Sequence, residues 1–125
     1  MPIINVHEPY DSGIPTVNMV TLDSDQPYEF VGGVAKKRIK VYSVQVHNNG
    51  GGANTVEVYY GNAQGIAQSS TDAVAQLAVS ATVTSKSIVF QKGFEPTGDV
   101  GEELSARVST DAMQAVVIIQ YGLVN

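Results

Sequence analysis

The chain has 125 residues and a formal net charge of −5, and only 15% of its side chains are charged, against about 25% in an average globular protein. That length fits one domain with an ordinary core, and the acidic balance excludes a nucleic-acid binder working through a basic surface. There is no cysteine, which excludes a disulfide framework, a thiolate metal site and a cysteine nucleophile.

Nineteen Val and eight Ile stand against four Leu. β-Branched residues so outnumber the best apolar helix former that sheets are expected throughout. Residues 1–35 hold four of the five prolines and five acidic residues. Proline fixes φ and removes a backbone donor, so long central strands cannot pass through Pro2, Pro9, Pro15 or Pro27. Short extended pieces are predicted over residues 2–6, 16–22 and 28–31, with turns at Asp11-Ser12-Gly13 and Asp23-Ser24-Asp25. Two arrangements fit this region. One is an extended N-terminal arm, or edge strands, laid over a sandwich or onto a neighbour; the other is a set of ordinary first strands. Residues 36–125 form the predicted sandwich domain.

Arg38–Asn48 is predicted as a strand whose inward face changes midway. Ile39 and Val41 share one parity and Val44 and Val46 the other, so a bulge is expected near Tyr42-Ser43. Asn48-Asn49-Gly50-Gly51-Gly52 is a turn signal rich in residues that tolerate positive φ. The next strand covers residues 55–60, with Val56, Val58 and Tyr60 on one face and Thr55, Glu57 and Tyr59 on the other. In the middle segment, Ser70-Thr71-Asp72 has the form of a helix cap ahead of residues 73–78. Leu77, Val79, Ala81 and Val83 alternate, which favours a strand across residues 77–83. Further strands are predicted over residues 87–91 and 103–109, around a loop at 93–101. The last strand, residues 115–121, is apolar on both faces and is expected to be covered on both sides. About eight strands at this spacing predict an all-β fold, an antiparallel β-sandwich.

Chemistry-bearing constellations are few. His7 and His47 form no metal-type pair, and no Gly-x-Ser-x-Gly elbow presents a nucleophile. Glu95, Asp99, Glu102 and Glu103 surround the 93–101 loop, but match no calcium-loop spacing and read as solvated. No catalysis, cofactor or metal is expected. Lys36, Lys37, Arg38 and Lys40 are the basic cluster; on an extended segment Lys36, Arg38 and Lys40 point to one face. Such a cluster is either a solvated edge that deters aggregation or a patch that meets an acidic surface. Tyr59-Tyr60 puts one ring on each face of a strand, which leaves a weak case for a sugar platform. No window approaches the roughly 20 apolar residues that span a bilayer, and residues 1–8 carry no signal-peptide pattern. The expectation is synthesis in a cytoplasm and no membrane partner.

From Lys36 to Tyr121 the order of pieces has a likeness. A strand ending Val44-Gln45-Val46-His47-Asn48 leads through a Gly/Ala turn to Thr55-Val56-Glu57-Val58-Tyr59-Tyr60-Gly61. Phe90-Gln91-Lys92-Gly93-Phe94 and Gly101-Glu102-Glu103-Leu104-Ser105-Ala106-Arg107-Val108-Ser109 follow, and Ala115-Val116-Val117-Ile118-Ile119-Gln120-Tyr121 closes the pattern. It resembles the small jelly-roll accessory proteins of tailed bacteriophage virions, especially capsid decoration or cement proteins. The resemblance implies a jelly-roll-like, non-enzymatic protein that binds the major capsid protein, reinforces the lattice and associates with itself as a homotrimer. It implies location in the virion after synthesis in the host cytoplasm. The expected capsid contacts are Ile3, Ile4, Val6, Tyr10, Lys36, Lys37 and Arg38, and the expected subunit interface is Val116, Ile118 and Gln120. Two other roles stay open: a tail, fibre or baseplate component of the same fold, and a carbohydrate- or receptor-binding module.

Overall fold

The computed structural model describes residues 15–63, 71–110 and 113–125. These form eight strands: β1 (Thr16–Leu22), β2 (Tyr28–Val31), β3 (Arg38–Asn48), β4 (Asn54–Tyr60), β5 (Ala73–Val79), β6 (Ser85–Val89), β7 (Leu104–Val108) and β8 (Ala115–Val124). They make two four-stranded sheets, ordered β1-β8-β3-β6 and β2-β7-β4-β5. Every strand pair is antiparallel. Only β4 and β5 are both consecutive in the chain and paired; every other connection between the strands crosses from one sheet to the other. That interleaving is a jelly roll.

The expected extended pieces at Thr16–Leu22 and Tyr28–Val31 are the outer strands β1 and β2, one in each sheet. The predicted piece at residues 2–6 and the turn at 11–13 lie outside the described residues, as do the candidate contacts Ile3, Ile4, Val6 and Tyr10. The bulge falls where parity required it: β3 shifts register against β8 between Val41 and Ser43. Val41 and Val44 are both fully buried as a result.

The core lies between the inward faces. Val41, Val44, Val117 and Ile119 of the first sheet meet Val56, Val58, Leu104, Ala106 and Val108 of the second, all at 1% exposure or less. Polar residues at the rim are satisfied rather than exposed. The Asn54 amide donates to the Met113 carbonyl at 3.0 Å, and its oxygen accepts the Thr110 backbone N–H at 3.2 Å. Ser105 Oγ donates to the Gly61 carbonyl. Such bonds tie the loops to strand ends without leaving buried polar atoms unpaired.

Two strand expectations are corrected. The strand predicted at 77–83 ends at Val79 and begins at Ala73, so neither the helix nor the later strand end is observed. The alternation continued past Val79, but Ser80 Oγ accepts the Thr82 and Val83 amides at 3.3 and 3.1 Å, and Val83 O accepts the Ser80 N–H at 2.8 Å. A serine that captures its own neighbours' amides turns the chain before another strand residue can pair. Tyr59 is not on an exposed face either. It lies on the face opposite Tyr60, since β4 keeps register with β7 from Val56 to Tyr60, but both rings are buried, at 0% and 4% exposure, and the Tyr59 hydroxyl is bonded to the Ala63 carbonyl.

Candidate functional site

In β8 the buried residues Ala115, Val117, Ile119 and Tyr121 point into the core, so Val116, Ile118 and Gln120 point to the outer face. The ladders then set who stands beside them. Across the first sheet, one row reads Val17, Gln120, Ser43, Val89; the next Met19, Ile118, Gln45, Ser87; the third Thr21, Val116, His47, Ser85. No Asp, Glu, Lys or Arg stands in these rows. Val116, Ile118 and Gln120 are half-buried between their neighbours, whereas Val17, Met19 and Val89 are 57%, 67% and 76% exposed. The second sheet covers the inner face of β8, and among the described residues no strand lies over the outer one; the two covers expected there, the start of the N-terminal arm or a partner subunit, lie outside the described residues.

Toward β6 this face carries a shallow depression of about 420 Å³, lined by Gln45, His47, Ser85, Ser87 and Ile118 among others. His47 is exposed near the end of β3, with Nδ1 3.3 Å from the Thr84 carbonyl. Ser43 Oγ donates to Gln120 Oε1 at 3.3 Å. Amides, hydroxyls and one imidazole on this face can bind a partner by hydrogen bonds.

The basic cluster is divided by its backbone. Lys36 sits in the turn before β3 at φ 65°, so the alternation that would align it with Arg38 and Lys40 does not extend back to it. Lys37 Nζ donates to Asn125 Oδ1 at 2.6 Å. Lys40 Nζ lies 3.9 Å from Glu95 Oε1 and 5.8 Å from the Tyr42 ring centroid. Two of the four cations therefore have partners within this chain.

The loop around residues 93–101 is pinned to β3 by the backbone. Val41 N–H donates to the Pro96 carbonyl, Gly98 N–H to Ile39 and Gly101 N–H to Lys37, at 3.0, 3.0 and 2.8 Å. Tyr60 passes beneath it, its hydroxyl 2.9 Å from the Ile39 carbonyl and 3.0 Å from that of Pro96. Burial, and then the Glu102 carboxylate, hold the Tyr60 phenol well above its ordinary range, so it stays a neutral donor. The acidic residues of this loop do not converge: among the described residues no group of three or more His, Asp or Glu is placed to hold a metal ion.

Glu103 is the acidic residue here that titrates abnormally. Burial comes first, then its hydrogen bond to Glu29 and the charges of Glu29 and Glu102; together they raise its carboxyl above the usual range. A carboxyl held higher when folded binds its proton more tightly in the native state. Its favourable contribution is present at acid pH and is lost as pH rises through the folded value. Glu103→Gln is expected to raise the melting temperature at pH 7, and the gain should close below about pH 4. Thermal unfolding across that range checks it; an equal gain at both ends would mean that the Glu103 charge is not the cause.

The weak case for a sugar platform at Tyr59-Tyr60 falls, because both rings are buried and their hydroxyls bonded to carbonyls, Tyr59 to that of Ala63. The extent of the outer face was the feature that sequence reasoning missed. Val17, Met19 and Val89 join it through pairings between strands far apart in the chain. The available signal was the uncharged strand 16–22 beside a last strand apolar on both faces.

No family model matches the sequence, and no curated protein matches it. Among solved structures it is similar to the nucleoplasmin-like N-terminal domain of Drosophila FKBP39, at 10% identity and a TM-score of 0.46, over 88% of this chain and 90% of that one. It is also similar to a chain of the virus-like particle of extra small virus from the giant freshwater prawn Macrobrachium rosenbergii. There the identity is 11% and the TM-score 0.40, over 97% of this chain and 83% of that one. A chain of infectious bursal disease virus, Gx strain, aligns at 17% identity and a TM-score of 0.20, over 100% of this chain and 41% of that one. Likenesses this low assign no role.

Proposed function

We propose that the chain is a non-enzymatic structural protein of a virion, which binds the major capsid protein and reinforces the capsid lattice as a decoration or cement protein. The observation that supports this reading best is the three uncharged rows on the outer face of the first sheet, with exposed apolar side chains on a chain of net charge −5. A face of that kind serves burial against protein rather than chemistry on a small molecule. The order of strands and turns from Lys36 to Tyr121 supports the same class, through its resemblance to phage accessory proteins. Reinforcement needs no reaction. Each bound copy adds interface that exists only in the assembled shell, so mass action opposes disassembly.

In this reading residues 3–10, with Ile3, Ile4, Val6 and Tyr10, and Lys36, Lys37 and Arg38 at the entry to β3 meet the capsid. Val116, Ile118 and Gln120 lie between copies of a homotrimer. The test combines light scattering with cosedimentation on purified capsids that lack the protein. Expected are a particle near three times 13.2 kDa and saturable binding that is lost when residues 1–15 are deleted. Full binding by the shortened chain would overturn the assigned contact, and no binding by the intact chain would overturn the proposed function.

A further inference from the structure

The outer face of the first sheet has two apolar ends. Val17 and Met19 stand on β1, at one edge of the sheet; Val89 stands on β6, at the opposite edge and in the same row as Val17. Three strand spacings put the two ends about 14 Å apart. Between Val17 and Val89 in that row, Ser43 and Gln120 are bonded to each other. A single self-complementary patch favours a two-fold pair in which the patch meets itself. Two unlike ends on opposite edges favour a head-to-tail contact, which repeats and can close into a ring.

Charge selects the occupant. The chain carries −5, so two copies repel over most approaches, but the three rows that carry these ends hold no Asp, Glu, Lys or Arg; Arg38 and Lys40 of β3 face the same way beyond the bulge, outside those rows. A second copy meets no like charge there, while a strongly acidic or basic partner finds no counter-charge. We infer that the β1 end of one copy, through Val17 and Met19, docks against the β6 end of a second copy, through Val89, and that successive contacts of this kind close the oligomer. This rests on the self-association proposed above and names the two unlike surfaces that carry it.

The test uses the full chain and its mass in solution at micromolar concentration. Met19→Glu and Val89→Glu are each expected to fall to 13.2 kDa. Mixed one to one, they are expected to form a two-chain particle, because each variant keeps the end that the other has lost. Val89→Glu alone at the wild-type mass would overturn the inference, since only the β1 end or another surface would then be needed. A mixture that stays monomeric would overturn it too. A monomeric wild type would overturn the self-association reading itself, which separates the two failures. If either Glu variant melts more than a few degrees lower, Met19→Thr and Val89→Thr repeat the test with residues that suit a strand, and the same outcomes decide.

Discussion

Ile119→Ala is expected to lower the unfolding free energy by about 3 kcal/mol, whereas Ile118→Ala, one residue earlier in β8, is expected to cost less than about 1 kcal/mol. Ile119 is fully buried between the sheets, and truncating it opens a cavity that β3 and β4 cannot collapse to fill. Ile118 faces outward beside Met19 and Gln45, where solvent or a partner replaces the lost methyl groups. Urea unfolding at a chain concentration low enough to separate copies isolates the difference from association. Equal losses at both positions would mean that β8 is one residue out of register, because a single step exchanges its two faces. The reverse ordering is expected for self-association, where Ile118→Ala weakens the oligomer more than Ile119→Ala does among the chains still folded.

Gly98→Ala is expected to destabilise the fold by about 2 kcal/mol, through overpacking rather than backbone strain. A Cβ at position 98 would stand 2.7 Å from the Tyr60 ring. The ring has little room to retreat, since Tyr60 is 4% exposed and its hydroxyl is held by the Ile39 and Pro96 carbonyls. The loop cannot easily lift either, because Gly98 N–H donates to Ile39 at 3.0 Å. Tyr60→Phe keeps the ring and removes the hydroxyl, so it is expected to cost about 1 kcal/mol by leaving those carbonyls without that donor. Thermal unfolding measures both. An unchanged midpoint for Gly98→Ala would show that the loop moves away at little cost, and that its pairing with β3 is not part of the stable fold.

Position by position, the sequence was most legible where a local pattern had one physical solution. The parity change between Val41 and Val44 required an extra residue, and the bulge lies there. The inward and outward residues of β8 follow from alternation alone once one buried member is known. It was least legible where a side chain competed for the backbone, where a face was covered from beyond its own strand, or where a turn broke the alternation. Alternation through Val83 favoured a longer strand, but the Ser80 hydroxyl bonds two following amides and turns the chain. Tyr59 lies on the face opposite Tyr60, as alternation requires, but that face is not open there: its hydroxyl is bonded to the Ala63 carbonyl and both rings are buried. Lys36 was expected in line with Arg38, and a left-handed turn separates them.

The candidate surface divides the same way. Its β8 members, Val116, Ile118 and Gln120, were visible in the sequence because a strand apolar on both faces must cover both. Val17, Met19 and Val89 were not, although each residue was in plain view. The sequence by itself determined an all-β chain, the location of most strands and the absence of charge from β1. Only the tertiary structure decided that residues 16–22 and 85–89 are opposite edges of one sheet. That outcome depends on pairings distant in sequence, such as β1 with β8 across residues 23–114. Alternation tells each strand which side chains share a face, but carries no information about which other strand lies beside it. Neighbours are chosen by how two whole sheets bury their inner faces together.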